Sequence, residues 1–173
     1  ILVLRLAAPY TGMIITARES AQMRHEAVAL GVTQTDASSN IDLGGYDSAK
    51  KNQDEETQQF ILGDTRSLDE VIRKFIEMGH ITSFCTAGYR CGRTGECIMD
   101  LLRSGQEGKF CKLNAVLTFK EWVDDFAGEE TQRLAQPLID QEIAEIRKTN
   151  PGVFDLFMEY YRRIEAGERD LYL

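Results

Sequence analysis

Apolar and polar positions follow two rhythms along this chain. Residues 13–18 (MIITAR) are apolar and β-branched, which predicts a buried strand. Residues 19–30 (ESAQMRHEAVAL) place apolar side chains near helical spacing and stop at Gly31. Residues 31–37 (GVTQTDA) read as a second strand. Strand, helix and strand in such quick succession is the pattern of a parallel α/β sheet. The opening residues 1–8 fit either a strand or the end of a buried helix, before Pro9 and Gly12 interrupt the chain.

A polar stretch with a Gly-Gly pair occupies residues 38–59 and predicts a loop. FILG at 60–63 predicts a short strand. The next segment, SLDEVIRKFIEMG, opens with Ser67 and places Glu70 three positions later, the signature of a capping box. Leu68, Val71, Ile72, Phe75 and Ile76 then share one helical face, and Gly79 ends it. Further helices are expected at 93–104, at 117–127 with Thr118 as cap, at 129–147, and at 153–166 beyond the break at Asn150–Gly152. Phe154, Phe157, Tyr160 and Tyr161 form a stripe at helical spacing, and together with Trp122 are expected in the core.

Composition narrows the function classes. A chain of 173 residues that is 43% hydrophobic and 28% charged has the make-up of a soluble globular protein. A net charge of −8 argues against nucleic acid as the main partner, since phosphate demands clustered cations. No apolar run reaches the ~18 residues of a membrane span, and the start lacks the basic residues and cleavage site of a signal peptide. The absence of an initial methionine and the opening inside an apolar element suggest a piece of a longer protein. Four cysteines without a secretory signal suggest a reducing, cytoplasmic setting.

Three of those cysteines fall in SFCTAGYRCGRTGEC, residues 83–97, and the fourth is Cys111. The gaps between Cys85, Cys91, Cys97 and Cys111 lack the two-residue spacing of zinc ribbons and thioredoxin-like pairs. The four thiols can simply be packed residues. Arg90, Arg93 and the glycines around them would also favour thiolates and let the backbone approach an inorganic cluster.

The segments LRLAAPYTGMIITARES, GDTRSLDEVIRKFIEMGHITSFCTAGYRCGRTGE (apart from its Gly88 and Cys91), FCKLNAVLTFKEWVDDFA and RIEAGERDLYL give the chain a specific likeness. It resembles the carboxy-terminal half of the HydG-type radical-SAM tyrosine lyases of FeFe-hydrogenase maturation, relatives of ThiH and biotin synthase. The resemblance implies an α/β fold in which residues 1–46 are the last helices and strands of a radical-SAM (TIM-like) barrel. Residues 47–63 would be loop and short strand, and 64–173 a mostly helical domain holding an auxiliary iron–sulfur cluster. That cluster would be of 4Fe–4S type, with or without an extra iron. S-adenosylmethionine and its own 4Fe–4S cluster would belong to an amino-terminal half absent from this sequence. The implied partners are tyrosine, S-adenosylmethionine and other hydrogenase maturation proteins, with no nucleic acid and no membrane.

The family's auxiliary ligands follow a C-x2-C-x22-C pattern, whose ends match Cys85 and Cys111. Its middle position falls on Gly88, which has no ligand atom. Either Cys91 takes that role, with Cys97 as a weaker candidate, or two or three thiolates hold a labile cluster or none. A third reading is a variant position in an otherwise ordinary enzyme. The resemblance also implies that Arg18 and Ser20 hold the carboxylate of the substrate tyrosine. Their competing roles are an ion pair of Arg18 with Glu19 or Asp36, and a helix cap for Ser20. Asp36 and Asn40 depart from the family's usual residues, leaving Ser39 as a weak contact. His25 is expected in solvent, and His80 at the end of the helix before Gly79. The fragment alone would hold no catalytic residue. The rival classes are a non-catalytic metal-binding module and a degenerate paralogue with an incomplete cluster site.

Overall fold

The parallel strand–helix–strand unit expected near the start of the chain is present in reduced form. The computed structural model describes residues 1–9, 11–41, 60–84 and 108–173, which divide between two units, Ile1–Val71 and Ile72–Leu173. In the first unit, α1 (Leu2–Ala7) shows that the opening apolar run is helical. Then come β1 (Ile14–Ile15), α2 (Ala21–Ala29) and β2 (Gln34–Thr35). The strands pair in parallel, with Ile14 opposite Gln34 and Ile15 opposite Thr35.

Each strand is two residues long, shorter than the expected 13–18 and 31–37. The carbonyls that would continue the ladder are used elsewhere. Ala17 O accepts from Gly63 N and Asp64 N at 2.9 and 3.0 Å, and Asp36 O accepts from the Arg24 guanidinium. The first of these contacts also corrects the strand expected at 60–63. Two successive N–H groups aimed at one carbonyl make a loop contact, since a ladder alternates its partners.

The capping box of α3 (Leu68–Glu77) is formed as read from the sequence. Ser67 N donates to Glu70 Oε2 at 2.8 Å, and Glu70 N donates to Ser67 Oγ at 3.3 Å. Val71, Ile72, Phe75 and Ile76 are buried, and Gly79 ends the helix with φ +78°, a left-handed value that glycine adopts without steric cost.

The second unit is built on α4 (Gly108–Phe126), α5 (Glu129–Thr149), a 3₁₀ turn (Pro151–Val153) and α6 (Phe154–Glu165). α4 packs against both α5 and α6. Leu113, Val116, Leu117 and Phe119 from α4 meet Ala135, Ile139 and Ile146 from α5 and Phe157 and Ile164 from α6 in a fully buried core. α4 begins nine residues earlier than the helix expected from residue 117. Thr118 therefore caps nothing; its hydroxyl donates to Asn114 O at 2.9 Å, inside the helix. The aromatic stripe on α6 divides: Phe157 and Tyr161 are buried, while Phe154 and Tyr160 are half-buried under the guanidinium groups of Arg147 and Arg163. The helix expected at 93–104 and most of the loop expected at 38–59 lie outside the described residues.

Candidate functional site

In the first unit the expected contacts Arg18 and Ser20 both sit in the exposed turn between β1 and α2. Asp36, one of the two acids expected to pair with Arg18, is engaged by Arg24 and by the Ser39 hydroxyl at 2.8 Å. Arg18 instead lies over the Phe60 ring, with 4.1 Å from guanidinium carbon to ring centroid. A guanidinium stacked by one face keeps its edge N–H groups free for a planar anion. Ser20 does cap α2, accepting from Met23 N at 3.3 Å. That bond uses an oxygen lone pair, so the hydroxyl proton remains available to a second partner.

The turn is held from outside by the segment 60–64. A Cβ built on Gly63 would stand 2.6 Å from Glu19 C, 2.7 Å from Arg18 O and 2.7 Å from Ser20 N, so only glycine permits this approach. Gly63 and Phe60 thus fix the backbone and the guanidinium of the same turn.

Beneath it lies a buried ionic cluster. Arg24, only 2% exposed, donates to Thr35 Oγ1, to Asp36 O and to the buried carboxylate of Asp64. Asp64 also accepts from Arg66 Nε at 2.9 Å and from Arg66 Nη2 at 2.7 Å. Burial by itself would raise the Asp64 pKa; the hydrogen bonds from Arg66 and the charges of both arginines outweigh it and hold the group at about 2. His25, expected in solvent, is half-buried with Nε2 3.2 Å from Arg66 Nη2. Arg66 is a donor only, so that ring nitrogen accepts.

In the second unit Cys111 is exposed in the first turn of α4. Lys112 beside it is turned to α5, bridging Glu142 at 2.8 Å and Glu145 at 2.5 Å. Further along α4, Trp122 stacks on Phe84 with ring centroids 5.9 Å apart. Phe84 directly precedes Cys85 in sequence, and Trp122 lies eleven residues along α4 from Cys111. Cys85, Cys91 and Cys97, with Gly88, Arg90 and Arg93, lie outside the described residues. Among the described residues no group of three potential metal ligands is gathered. His80 is exposed after α3.

The terminal segment, quoted above for its likeness, straps α4 from one side. Arg169 grips Asp125 through two bonds of 2.7 and 2.6 Å, and Leu171 N donates to Glu121 Oε1 at 3.2 Å. Asn114 and the Leu173 backbone exchange bonds of 3.0 and 2.7 Å, one turn from Cys111. Sequence reasoning did not foresee Phe60, Gly63, Arg24, Asp64 or Asn114. For Gly63 and Asp64 a signal existed, the Gly-Asp-x-Arg run; Arg24 sits in a helix with no marked apolar face and gives none.

Residues 1–81 match the family described as Biotin and Thiamin Synthesis associated domain. The chain is 40% identical, over 99% of its length and with a TM-score of 0.84, to a crystal structure of HydG, a maturase of the [FeFe]-hydrogenase. It spans 36% of that structure's chain. A second solved structure, the FeFe-hydrogenase maturase HydG from Carboxydothermus hydrogenoformans, is 28% identical over 94% of this chain and 27% of its own, with a TM-score of 0.46. No curated protein sequence matches the chain. No described helix is long and apolar enough to cross a membrane. Along essentially its whole length, this chain is similar to a solved HydG, and its first 81 residues match the Biotin and Thiamin Synthesis associated domain.

Proposed function

We propose that the chain supplies the end of a radical-SAM barrel and the auxiliary-cluster domain of a cytoplasmic HydG-like tyrosine lyase acting in hydrogenase H-cluster assembly. The observation that carries this reading is the 40% identity over 99% of the chain to a solved HydG, with Cys111 exposed at the start of α4. Cys85, Cys111 and, in place of Gly88, Cys91 would hold the auxiliary 4Fe–4S cluster. In the intact enzyme, S-adenosylmethionine with its own cluster would supply radical chemistry on tyrosine towards p-cresol, carbon monoxide and cyanide, and the auxiliary cluster would supply a Lewis-acidic iron.

The residues of this chain bind and orient. The Arg18 edge and the Ser20 hydroxyl take the tyrosine carboxylate at the amino end of α2, whose backbone dipoles favour an anion. Phe60 and Gly63 keep that grip in place. The barrel assignment draws support from the surface of the first unit. Parallel strands normally bury both faces and need neighbours, yet Ile14 is 68% exposed, and α1 buries none of its residues. Such a surface suits packing against further strands and helices.

Anaerobic reconstitution followed by iron, sulfide and zinc analysis tests the reading. About four irons with matching sulfide per chain are expected. One zinc without sulfide would replace it with a structural metal module. The second reading, a degenerate paralogue, is favoured by Gly88 alone and predicts neither metal.

A further inference from the structure

A cavity of about 450 Å³ opens between the carboxy-terminal half of α5 and α6, separate from the thiol and arginine sites. Ile143, Phe154 and Met158 give it an apolar floor, and Arg147, Lys148 and Arg162 form a cationic rim. Asp140 is the one acid in the lining, and its carboxylate already accepts from Gln136 Nε2 at 2.9 Å.

Three cations at one groove are unexpected in a chain of net charge −8. Elsewhere in this unit the cations are mostly matched: Arg73 with Glu130, Lys120 with Asp124, Arg163 with Glu168, Arg169 with Asp125. The acids of α5 closest in sequence to Arg147 and Lys148 are Glu142 and Glu145. Both are turned to Lys112 on α4. Arg147 lies over the Phe154 ring, 5.0 Å from its centroid, with no carboxylate partner among the described residues. Lys148 and Arg162 likewise form no ion pair with a described residue. The groove therefore sets three cations against a single carboxylate, beside an apolar floor large enough for one or two side chains.

We propose that this groove docks an acidic segment of a partner protein, carrying one aliphatic or aromatic anchor between carboxylates. The anchor would enter between Ile143 and Met158 while the flanking carboxylates meet Arg147, Lys148 and Arg162. Charge complementarity of this kind speeds encounter and selects the partner, and it weakens as salt rises.

Panning a display library of random twelve-residue peptides against the folded chain tests this. Enriched peptides are expected to carry at least two Asp or Glu residues flanking a Leu, Ile or Phe. Their affinity is expected to drop at least tenfold in the Arg147→Glu/Lys148→Glu chain and in the Arg162→Glu chain. It should stay within about twofold in Arg133→Glu, an exposed α5 arginine outside the groove. No enrichment, enrichment of peptides without acids, or equal losses in Arg133→Glu and the groove variants would overturn the proposal.

Discussion

Replacing Gly63 with alanine adds a single methyl group where three backbone atoms of the Arg18–Ser20 turn stand 2.6–2.7 Å away. Ordinary carbon contacts begin near 3.5 Å, so the two segments must separate by roughly 0.8 Å. The turn cannot yield by rotating a side chain, because the obstructing atoms belong to the main chain. Separation stretches the Gly63 and Asp64 bonds to Ala17 O, now 2.9 and 3.0 Å, beyond useful length. Two lost bonds at ~1 kcal/mol each and ~1–3 kcal/mol of overpacking oppose the ~0.4–1 kcal/mol that alanine contributes by stiffening the unfolded chain. The net loss should be ~2–4 kcal/mol, confined to the first unit. Hydrogen exchange at the Gly63 and Asp64 amides reads it directly: at ~1.4 kcal/mol per tenfold, exchange should quicken ~30-fold or more, while amides in α4–α6 keep their rates. Unchanged protection at those two amides would refute the claim that this segment clamps the turn.

Three more outcomes follow from the same geometry. Asp64 has a folded-state pKa of about 2 against an ordinary 3.8, so its stabilisation is complete above pH 4 and is lost as pH falls from about 4 towards 2. At ~1.4 kcal/mol per pH unit that amounts to ~2–3 kcal/mol, and an acid titration of Asp64→Asn monitored by circular dichroism should lack that portion of the fall. Tyr161 buries a hydroxyl that makes no hydrogen bond among the described residues, and burial pushes its pKa up to about 12, with Gln136 close by. Tyr161→Phe should therefore be neutral or stabilise by up to ~1 kcal/mol in urea melts, and a loss above 1 kcal/mol would show an unrecognised partner. Phe84→Ala should red-shift the emission of Trp122, the sole tryptophan, and cost ~0.5–1.5 kcal/mol of ring contact; an unmoved spectrum would contradict the stack.

Long amphipathic segments were legible because one face supplies the whole signal. The Ser67–Glu70 box with the buried face of α3, and the long α5, came from periodicity and capping chemistry alone. The beginning of α4 was hidden because Gly108 and Thr118 both suggest a boundary, while tertiary burial of Leu113, Val116 and Leu117 carries the helix through. The strands came out shorter than their β-branched runs because long-range donors, Gly63 N and the Arg24 guanidinium, claim the carbonyls at their ends. Gly63 is 46 positions from Ala17 and Arg24 is 12 from Asp36, and no local pattern announces either partner. Arg18 and Ser20 were named from likeness to a family, and the residues that hold them, Phe60 and Gly63, belong to a segment read as a strand. Of the thiols, only Cys111 falls among the described residues, exposed at a helix start.

The central claim is that sulfur from Cys111 shares one iron–sulfur cluster with Cys85 and Cys91. Iron bound per chain after anaerobic reconstitution, compared between Cys111→Ser, Cys85→Ser, Cys91→Ser and Cys97→Ser, tests it most directly. The account predicts about four irons in the unaltered chain and in Cys97→Ser, with half or less in each of the other three. Undiminished iron and sulfide in Cys111→Ser would contradict it.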